Sequence, residues 1–77
     1  MHNNPEPDDC VLFGRRLTKI RKERGFSQEQ LSRNCGIAQS YLSNVEQGKR
    51  NISLRNICLL ARVLAIAPSE LLMFDTE

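Results

Sequence analysis

Hydrogen-bonding side chains are concentrated in one short stretch of the chain, GIAQSYLSNVEQGKRNIS, which covers residues 36–53. Amide and hydroxyl groups come first, on Gln39, Ser40, Ser43 and Asn44. Two basic side chains, Lys49 and Arg50, and the amide of Asn51 follow soon after them. Amides and hydroxyls can hydrogen-bond to polar partners, and basic residues attract negative charge. These residue types in this order favour contact with a polar, negatively charged surface.

The basic residues of the whole chain are distributed unevenly. All eleven Lys and Arg lie between Arg15 and Arg62, together with only three acidic residues, so this middle part has a net charge of +8. The other six acidic residues lie towards the two ends and reduce the overall net charge to +2. A basic middle part favours a polyanionic partner, although a solvated basic surface would have the same composition.

Helical periodicity and helix-end signals predict the elements that must position this stretch. Five helices are predicted, and four of them cover about residues 9–24, 28–34, 39–47 and 68–73. The remaining one, fourth in chain order, begins after Ser53 and carries apolar residues as far as Leu64. Ser27 and Ser53 are candidate N-caps of the second and fourth helices. Gly25 and Gly36 are natural ends for the first and second, since glycine adopts left-handed geometry cheaply. No strand-like alternation is present, so the predicted fold class is all-α.

The expected core is identified by apolar residues at helical spacing. The broadest apolar face, on the fourth helix, is formed by Leu54, Ile57, Cys58, Leu60, Ala61 and Leu64. Such a face is typical of a core helix. The three cysteines, Cys10, Cys35 and Cys58, are odd in number and form no C-x-x-C pair. A disulfide framework or a zinc site is therefore not expected, and Cys35 and Cys58 are interpreted as small core residues.

The chain is predicted to have a short tail and one domain. Residues 1–8, MHNNPEPD, are polar and contain two prolines, which predicts a flexible tail. Residues 9–77 are long enough for one small folded domain. No apolar run is long enough to span a membrane, and the N-terminus lacks the order of a signal peptide. We therefore expect a cytoplasmic protein with no membrane partner.

Enzymatic function is not expected from the residues present. The only histidine, His2, lies in the predicted tail, so no Cys-His or Ser-His relay is available on the domain. No glycine-rich phosphate loop and no cluster with metal-ligand spacing is present. The adjacent acids Asp8 and Asp9 are better interpreted as a solvated helix start. We expect no catalytic residue, no metal and no cofactor.

The two short helices around Gly36 have the arrangement of a helix-turn-helix. A tight connection that contains glycine lets the second helix cross the first steeply. In that second helix Leu42 and Val45 are expected to face the core, and Ile37 to close the turn. The amides and hydroxyls then face outward, where they can hydrogen-bond to base edges in a DNA major groove. An ordinary polar surface helix would show the same periodicity.

Three motifs, in register, resemble a known family. They are R-x-x-R-G-x-S-Q-x-x-L, Y-L-S-x-V-E-x-G-x-R and L-A-x-x-L-x-I-x-P-S-E-L-L. Over about residues 12–74 the chain resembles the lambda-repressor-like (Cro/C1, or XRE-type) helix-turn-helix domain. Within that family, SYLSNVEQGKRNISL and the short length most resemble the controller proteins of restriction–modification systems. Small phage-type repressors are nearly as similar.

The resemblance implies roles for individual residues in DNA binding. Gln28 would set its backbone N–H and side-chain amide against a phosphate, aided by the helix N-terminus. The residues facing the major groove would be Gln39, Ser40, Ser43 and Asn44. Tyr41 would lie at the groove edge against a phosphate or a base methyl, or would only pack at the rim. Lys49, Arg50 and Asn51 would hold the DNA backbone, with a solvated side chain as the alternative for Lys49.

Two structural roles complete the expected site. The resemblance implies an ion pair between Arg21 and Glu46 that ties the first helix to the recognition helix. We expect it to be largely buried, because Glu46 follows the core residue Val45. Apolar residues near the C-terminus exceed what a small core can bury, which predicts a homodimer interface. Its candidate residues are Ile66, Leu72, Met73 and Phe74.

The expected function is therefore sequence-specific transcriptional regulation by a homodimer on a two-fold symmetric, double-stranded DNA operator. A controller of a restriction–modification system is the first interpretation. A small prophage-type repressor, or an antitoxin-like protein-interaction module, is the alternative. RNA polymerase would be a further partner if the protein activates transcription. No small-molecule ligand is expected, because 77 residues leave no room for a ligand domain.

Overall fold

The computed structural model describes residues 8–74. Within that range the chain forms five helices and no strand: α1 (Asp9–Glu23), α2 (Gln28–Cys35), α3 (Gln39–Glu46), α4 (Leu54–Leu64) and α5 (Pro68–Leu71). The predicted all-α class and the helix-turn-helix at the second and third helices are confirmed. Residues 1–7 of the predicted tail and residues 75–77 of the predicted domain lie outside the described residues.

Short-range hydrogen bonds set the starts of three helices. The side chain of Asp8 accepts a first-turn backbone N–H of α1 at 2.6 Å. Ser27 and Gln30 form a capping box, in which each side chain accepts the other's backbone N–H, at 3.0 and 2.9 Å. Ser53 Oγ accepts the backbone N–H of Asn56 at 3.1 Å. Each cap satisfies a donor that the helix itself leaves unpaired.

The turn between α2 and α3 depends on Gly36. Its φ of +72° and ψ of 27° lie in the left-handed region, which costs other residues about 1 kcal/mol or more. Ile37 follows it, packs partly buried against the core and donates its N–H to the Ser32 carbonyl at 3.0 Å. The glycine therefore ends α2 and turns the chain so that α3 packs against α2.

All five helices contribute to one core. The largest of the almost completely buried side chains are Leu17, Leu31, Leu42, Val45, Leu60, Leu64 and Leu71. Because α3 supplies two of them, the position of α3 is fixed by the same packing that holds the domain together.

Gly14 allows α1 and α3 to approach closely. A Cβ atom at this position would lie 2.5 Å from the carbonyl oxygens of both Val45 and Glu46, at the end of α3. No side chain fits at that distance from backbone atoms. The absence of a side chain at Gly14 thus determines where α3 ends relative to α1.

The apolar face of α4 is shorter than the sequence predicts. Leu54 was expected in the core, but it is 73% exposed. It is the first residue of α4. Periodicity identifies the apolar side of a helix, but it does not show how much of the helix length other elements cover. Cys35 is buried as expected, whereas Cys58 is only half-buried.

Candidate nucleic-acid interface

α3 presents two chemically different sides. Leu42 and Val45 are buried in the core, as predicted. The four polar residues on the other side divide into two that are exposed, Gln39 and Ser40, and two that are half-buried, Ser43 and Asn44. The Ser43 hydroxyl accepts a hydrogen bond from Gln47 Nε2 at 3.1 Å, one turn later in the chain. The amides and hydroxyls therefore lie on a helix that is anchored from behind.

A buried ion pair anchors the end of α3. Arg21 Nε donates to Glu46 Oε2 at 2.6 Å and Arg21 Nη2 donates to Glu46 Oε1 at 3.0 Å, with side chains only 9% and 5% exposed. Arg21 Nη1 donates to the Phe26 carbonyl at 2.8 Å. The two parallel bonds match the planar guanidinium to the carboxylate, which is the geometry of the stronger pairs. This pair ties α1 to α3 at the point where the recognition helix ends.

The side chain of Gln28 belongs to the same cluster. Its Nε2 donates to Glu46 Oε1 at 2.8 Å, so α2 is joined to the α1–α3 ion pair. The sequence implied a phosphate contact for this residue and gave no sign of a bond to Glu46. A primary amide has two N–H groups, and the bond to Glu46 uses one of them. The phosphate contact of Gln28 stays a prediction.

Tyr41 lies between two residues from outside α3. The guanidinium carbon of Arg50 is 5.0 Å from the centre of its ring, which is the arrangement of a cation–π contact. Asn56 Nδ2, in the first turn of α4, donates to the Tyr41 hydroxyl at 3.1 Å. The ring is half-buried. Tyr41 is thus held in place by contacts with Arg50 and Asn56.

The segment after α3 carries two basic residues and an amide, and all three are exposed to solvent. Lys49, Arg50 and Asn51 all have exposed side chains and lie three to five residues after the last residue of α3. Two of these three contact α3: the Lys49 backbone N–H donates to the Asn44 carbonyl at 2.9 Å, and the Arg50 side chain lies over the Tyr41 ring.

The four residues of the predicted dimer interface divide into two pairs. Leu72 and Met73 are 49% and 59% exposed, beyond the end of α5. Ile66 and Phe74 are half-buried and pack against the core. The core therefore covers more of this cluster than the sequence led us to expect, and the apolar surface that remains is centred on Leu72 and Met73.

Cys35 is a buried thiol in the core. Burial raises the pKa of the Cys35 thiol above its ordinary value, because the thiolate would be desolvated. The thiol is therefore protonated at neutral pH and packs as a core residue.

Within residues 8–74, His, Cys, Asp and Glu side chains form no group of three that could hold a metal ion. In the same part of the chain, helices that are both long and apolar enough to cross a bilayer are absent.

Sequence reasoning missed two contacts of this surface. The bonds from Gln28 to Glu46 and from Asn56 to Tyr41 join residues 18 and 15 positions apart. No spacing rule predicts such pairs, because they depend on how the helices pack. Asn56 was visible only as a polar residue next to the apolar face of α4.

Comparison with known proteins agrees with this geometry. A family model described as helix-turn-helix matches residues 17–71. The control protein C.BamHI of Bacillus amyloliquefaciens is 39% identical over 67 residues, 86% of this chain and 83% of that protein. The restriction-modification controller protein C.AhdI from Aeromonas hydrophila is 49% identical, with a TM-score of 0.80 over 82% of this chain and 96% of that one. The biofilm regulator SinR, solved in complex with DNA, is 34% identical, with a TM-score of 0.75 over 78% and 97% of the two chains.

Sequence, fold and relatives lead to the same assignment. The family model covers the greater part of the chain, and it includes the whole of α2 and α3. The relatives match this chain over most of their own length. The chain therefore belongs to the helix-turn-helix family of the Cro/C1 (XRE) type and is a DNA-binding transcription regulator.

Proposed function

We propose that the protein binds a two-fold symmetric DNA operator as a homodimer and reads its sequence with α3. The observation that carries the proposal is the division of α3 into a buried apolar side and a side that carries amides and hydroxyls. Such groups match the donor and acceptor pattern of base edges in the major groove. A helix that reads bases must be held firmly, and the Arg21–Glu46 pair and the core supply that support.

The proposed contacts fall into two classes. Base-reading residues are Gln39, Ser40, Ser43 and Asn44, with Tyr41 at the edge of the groove. Backbone-holding residues are Gln28 at the start of the motif and Lys49, Arg50 and Asn51 after it. Phosphate contacts fix position and contribute salt-dependent affinity, whereas base contacts distinguish one sequence from another. The exposed basic segment after α3 and the amides on α3 therefore have separable tasks.

The proposed dimer uses the apolar surface around Leu72 and Met73, together with the half-buried side chains of Ile66 and Phe74. Exposed apolar side chains that lie together commonly mark an interface. A two-fold axis near this surface would present two copies of α3 to successive major grooves, roughly 34 Å apart.

We further propose that the operator belongs to a restriction–modification system, so that this chain acts as its controller. The similarity to C.BamHI and to C.AhdI over most of both chains supports this assignment. The genes beside this one test it. A neighbouring methyltransferase and endonuclease would support a controller, whereas neighbouring phage genes would contradict it.

Salt titrations of two variants test whether α3 reads and the following segment holds. Gln39→Ala should cost about 1–3 kcal/mol per copy on the operator and little on a scrambled duplex. Arg50→Ala should weaken both duplexes and reduce the salt slope by about one unit for each phosphate that the side chain no longer reaches. The measurement is the dissociation constant on both duplexes over a range of salt concentrations.

The two variants serve as controls for each other, since both replace an exposed side chain. Equal losses on both duplexes for Gln39→Ala would show that Gln39 holds the backbone and does not read bases. An unchanged salt slope for Arg50→Ala would contradict the backbone assignment.

A further inference from the structure

The Tyr41 side chain contacts two other segments of the chain. One contact restrains its ring and the other restrains its hydroxyl. The guanidinium carbon of Arg50 lies over the ring, 5.0 Å from its centre, and the hydroxyl accepts a bond from Asn56 Nδ2 at 3.1 Å. Asn56 is itself fixed, because its backbone N–H donates to Ser53 Oγ at the start of α4. The position of Tyr41 on the recognition helix is therefore set from α4 and from the segment that follows α3.

We propose that Asn56 is a positioning residue for DNA recognition. By donating to the Tyr41 hydroxyl, it fixes the direction of the ring and leaves the hydroxyl proton to be donated to an acceptor on the operator. This inference rests on the proposed function, since it assigns a way of acting to Tyr41 at the edge of the major groove.

The direction of the Asn56 bond determines what Tyr41 can offer to DNA. A tyrosine hydroxyl has one proton to donate and two lone pairs that accept. The Asn56 amide occupies a lone pair, so the proton remains free. Phosphate oxygens, the N7 atoms of guanine and adenine, guanine O6 and thymine O4 are acceptors at the groove, whereas the exocyclic amines of adenine and cytosine are donors. Tyr41 should therefore favour operators that present an acceptor at its position.

Arg50 can hold the ring and still contact the DNA backbone. A guanidinium has five N–H donors, and a cation–π contact with the ring leaves donors that can bind a phosphate. The ordering of Tyr41 before binding reduces the rotamer entropy that the complex would otherwise lose. Asn56 and Arg50 thus both restrain the Tyr41 side chain before DNA binds, one at the hydroxyl and the other at the ring.

The first test needs no DNA. Tyr41 is the only tyrosine in the chain and tryptophan is absent, so near-ultraviolet fluorescence reports on this side chain alone. Time-resolved fluorescence anisotropy of Asn56→Ala should show a larger fast component than the wild type, because the ring gains freedom. The same substitution at the exposed residue Asn34 should leave the anisotropy unchanged. An unchanged fast component in Asn56→Ala would overturn the positioning role.

The second test is a double-mutant cycle on the operator. Asn56→Ala and Tyr41→Phe should each weaken operator binding about threefold to tenfold per copy, the range expected for one hydrogen bond. The double variant should be no weaker than either single variant, because both remove the same interaction. Additive losses would mean that Asn56 acts by some route other than the Tyr41 hydroxyl, and would overturn the inference.

Asn56→Asp separates positioning from folding. An aspartate near a helix N-terminus is favourable for the helix, and its carboxylate accepts the tyrosine proton in place of donating. We expect this variant to melt no lower than the wild type but to lose a large part of its preference for operator over scrambled DNA. Retention of the full preference would contradict the inference alone. A wild-type protein without any sequence preference would contradict the proposed function as well.

Discussion

Replacement of Glu46 by alanine is expected to lower the free energy of unfolding by about 3–5 kcal/mol. Its carboxylate accepts two bonds from Arg21 and one from Gln28, and the charged groups are almost fully buried. Removal of the carboxylate leaves the Arg21 guanidinium charged and desolvated, and this unpaired charge is the main cost. Since native domains are stable by only about 5–15 kcal/mol, this loss removes a large fraction of the stability of the domain.

A second ion pair in the same protein is the matched control. Glu29 and Arg33 lie 2.9 Å apart on the surface of α2, with side chains 69% and 65% exposed. Glu29→Ala should lose less than about 1 kcal/mol, because exposed pairs are solvated and screened. Urea unfolding followed by helical circular dichroism measures both variants. Similar small losses for Glu46→Ala and Glu29→Ala would show that the buried pair does not support α3.

Gly14→Ala is the second substitution with a large expected effect, and its sign is opposite to the usual one. Alanine in place of glycine inside a helix normally stabilises by about 1 kcal/mol. Here the new Cβ would lie 2.5 Å from the carbonyl oxygens of Val45 and Glu46, and backbone atoms cannot move aside separately. We expect a loss of about 3 kcal/mol, at the upper end of what overpacking costs, together with weaker DNA binding because the end of α3 is displaced.

Gly25→Ala is the control for this substitution. Gly25 has a φ of +81°, and a Cβ atom added there would have no neighbouring atom within 4 Å, so alanine adds only backbone strain. That strain should cost about 1 kcal/mol and should leave DNA binding unchanged. Thermal unfolding and operator affinity are measured for both variants. A Gly14→Ala protein as stable as the wild type would contradict the close approach of α1 and α3.

Helix positions were predictable because their signals are local. Ser27 and Ser53 cap helices by bonds to residues three positions away, and Gly36 ends α2 by its own backbone geometry. The buried side of α3 was predictable for a similar reason, since Leu42 and Val45 recur at helical spacing. Features of this kind depend on a few neighbouring residues and are therefore contained in short stretches of sequence.

The extent of burial and the long-range contacts were not predictable in this way. Leu54 has the right spacing for the core, yet it lies at the end of α4 where nothing covers most of its side chain. The bond from Asn56 to Tyr41 joins α4 to α3 and follows from the packing of the whole domain. The roles of the candidate DNA-binding and dimer residues stay predictions, because they depend on partners as well as on the fold.

Selection of bound sequences from a pool of random DNA duplexes tests the proposed operator binding most directly. We predict that the wild-type protein enriches one sequence with two-fold symmetry, whose half-sites are centred about one helical turn, roughly 34 Å, apart. Two protein chains should sediment with each selected duplex. Failure to enrich any sequence, or enrichment of a single asymmetric half-site bound by one chain, would contradict recognition of a symmetric operator by a homodimer.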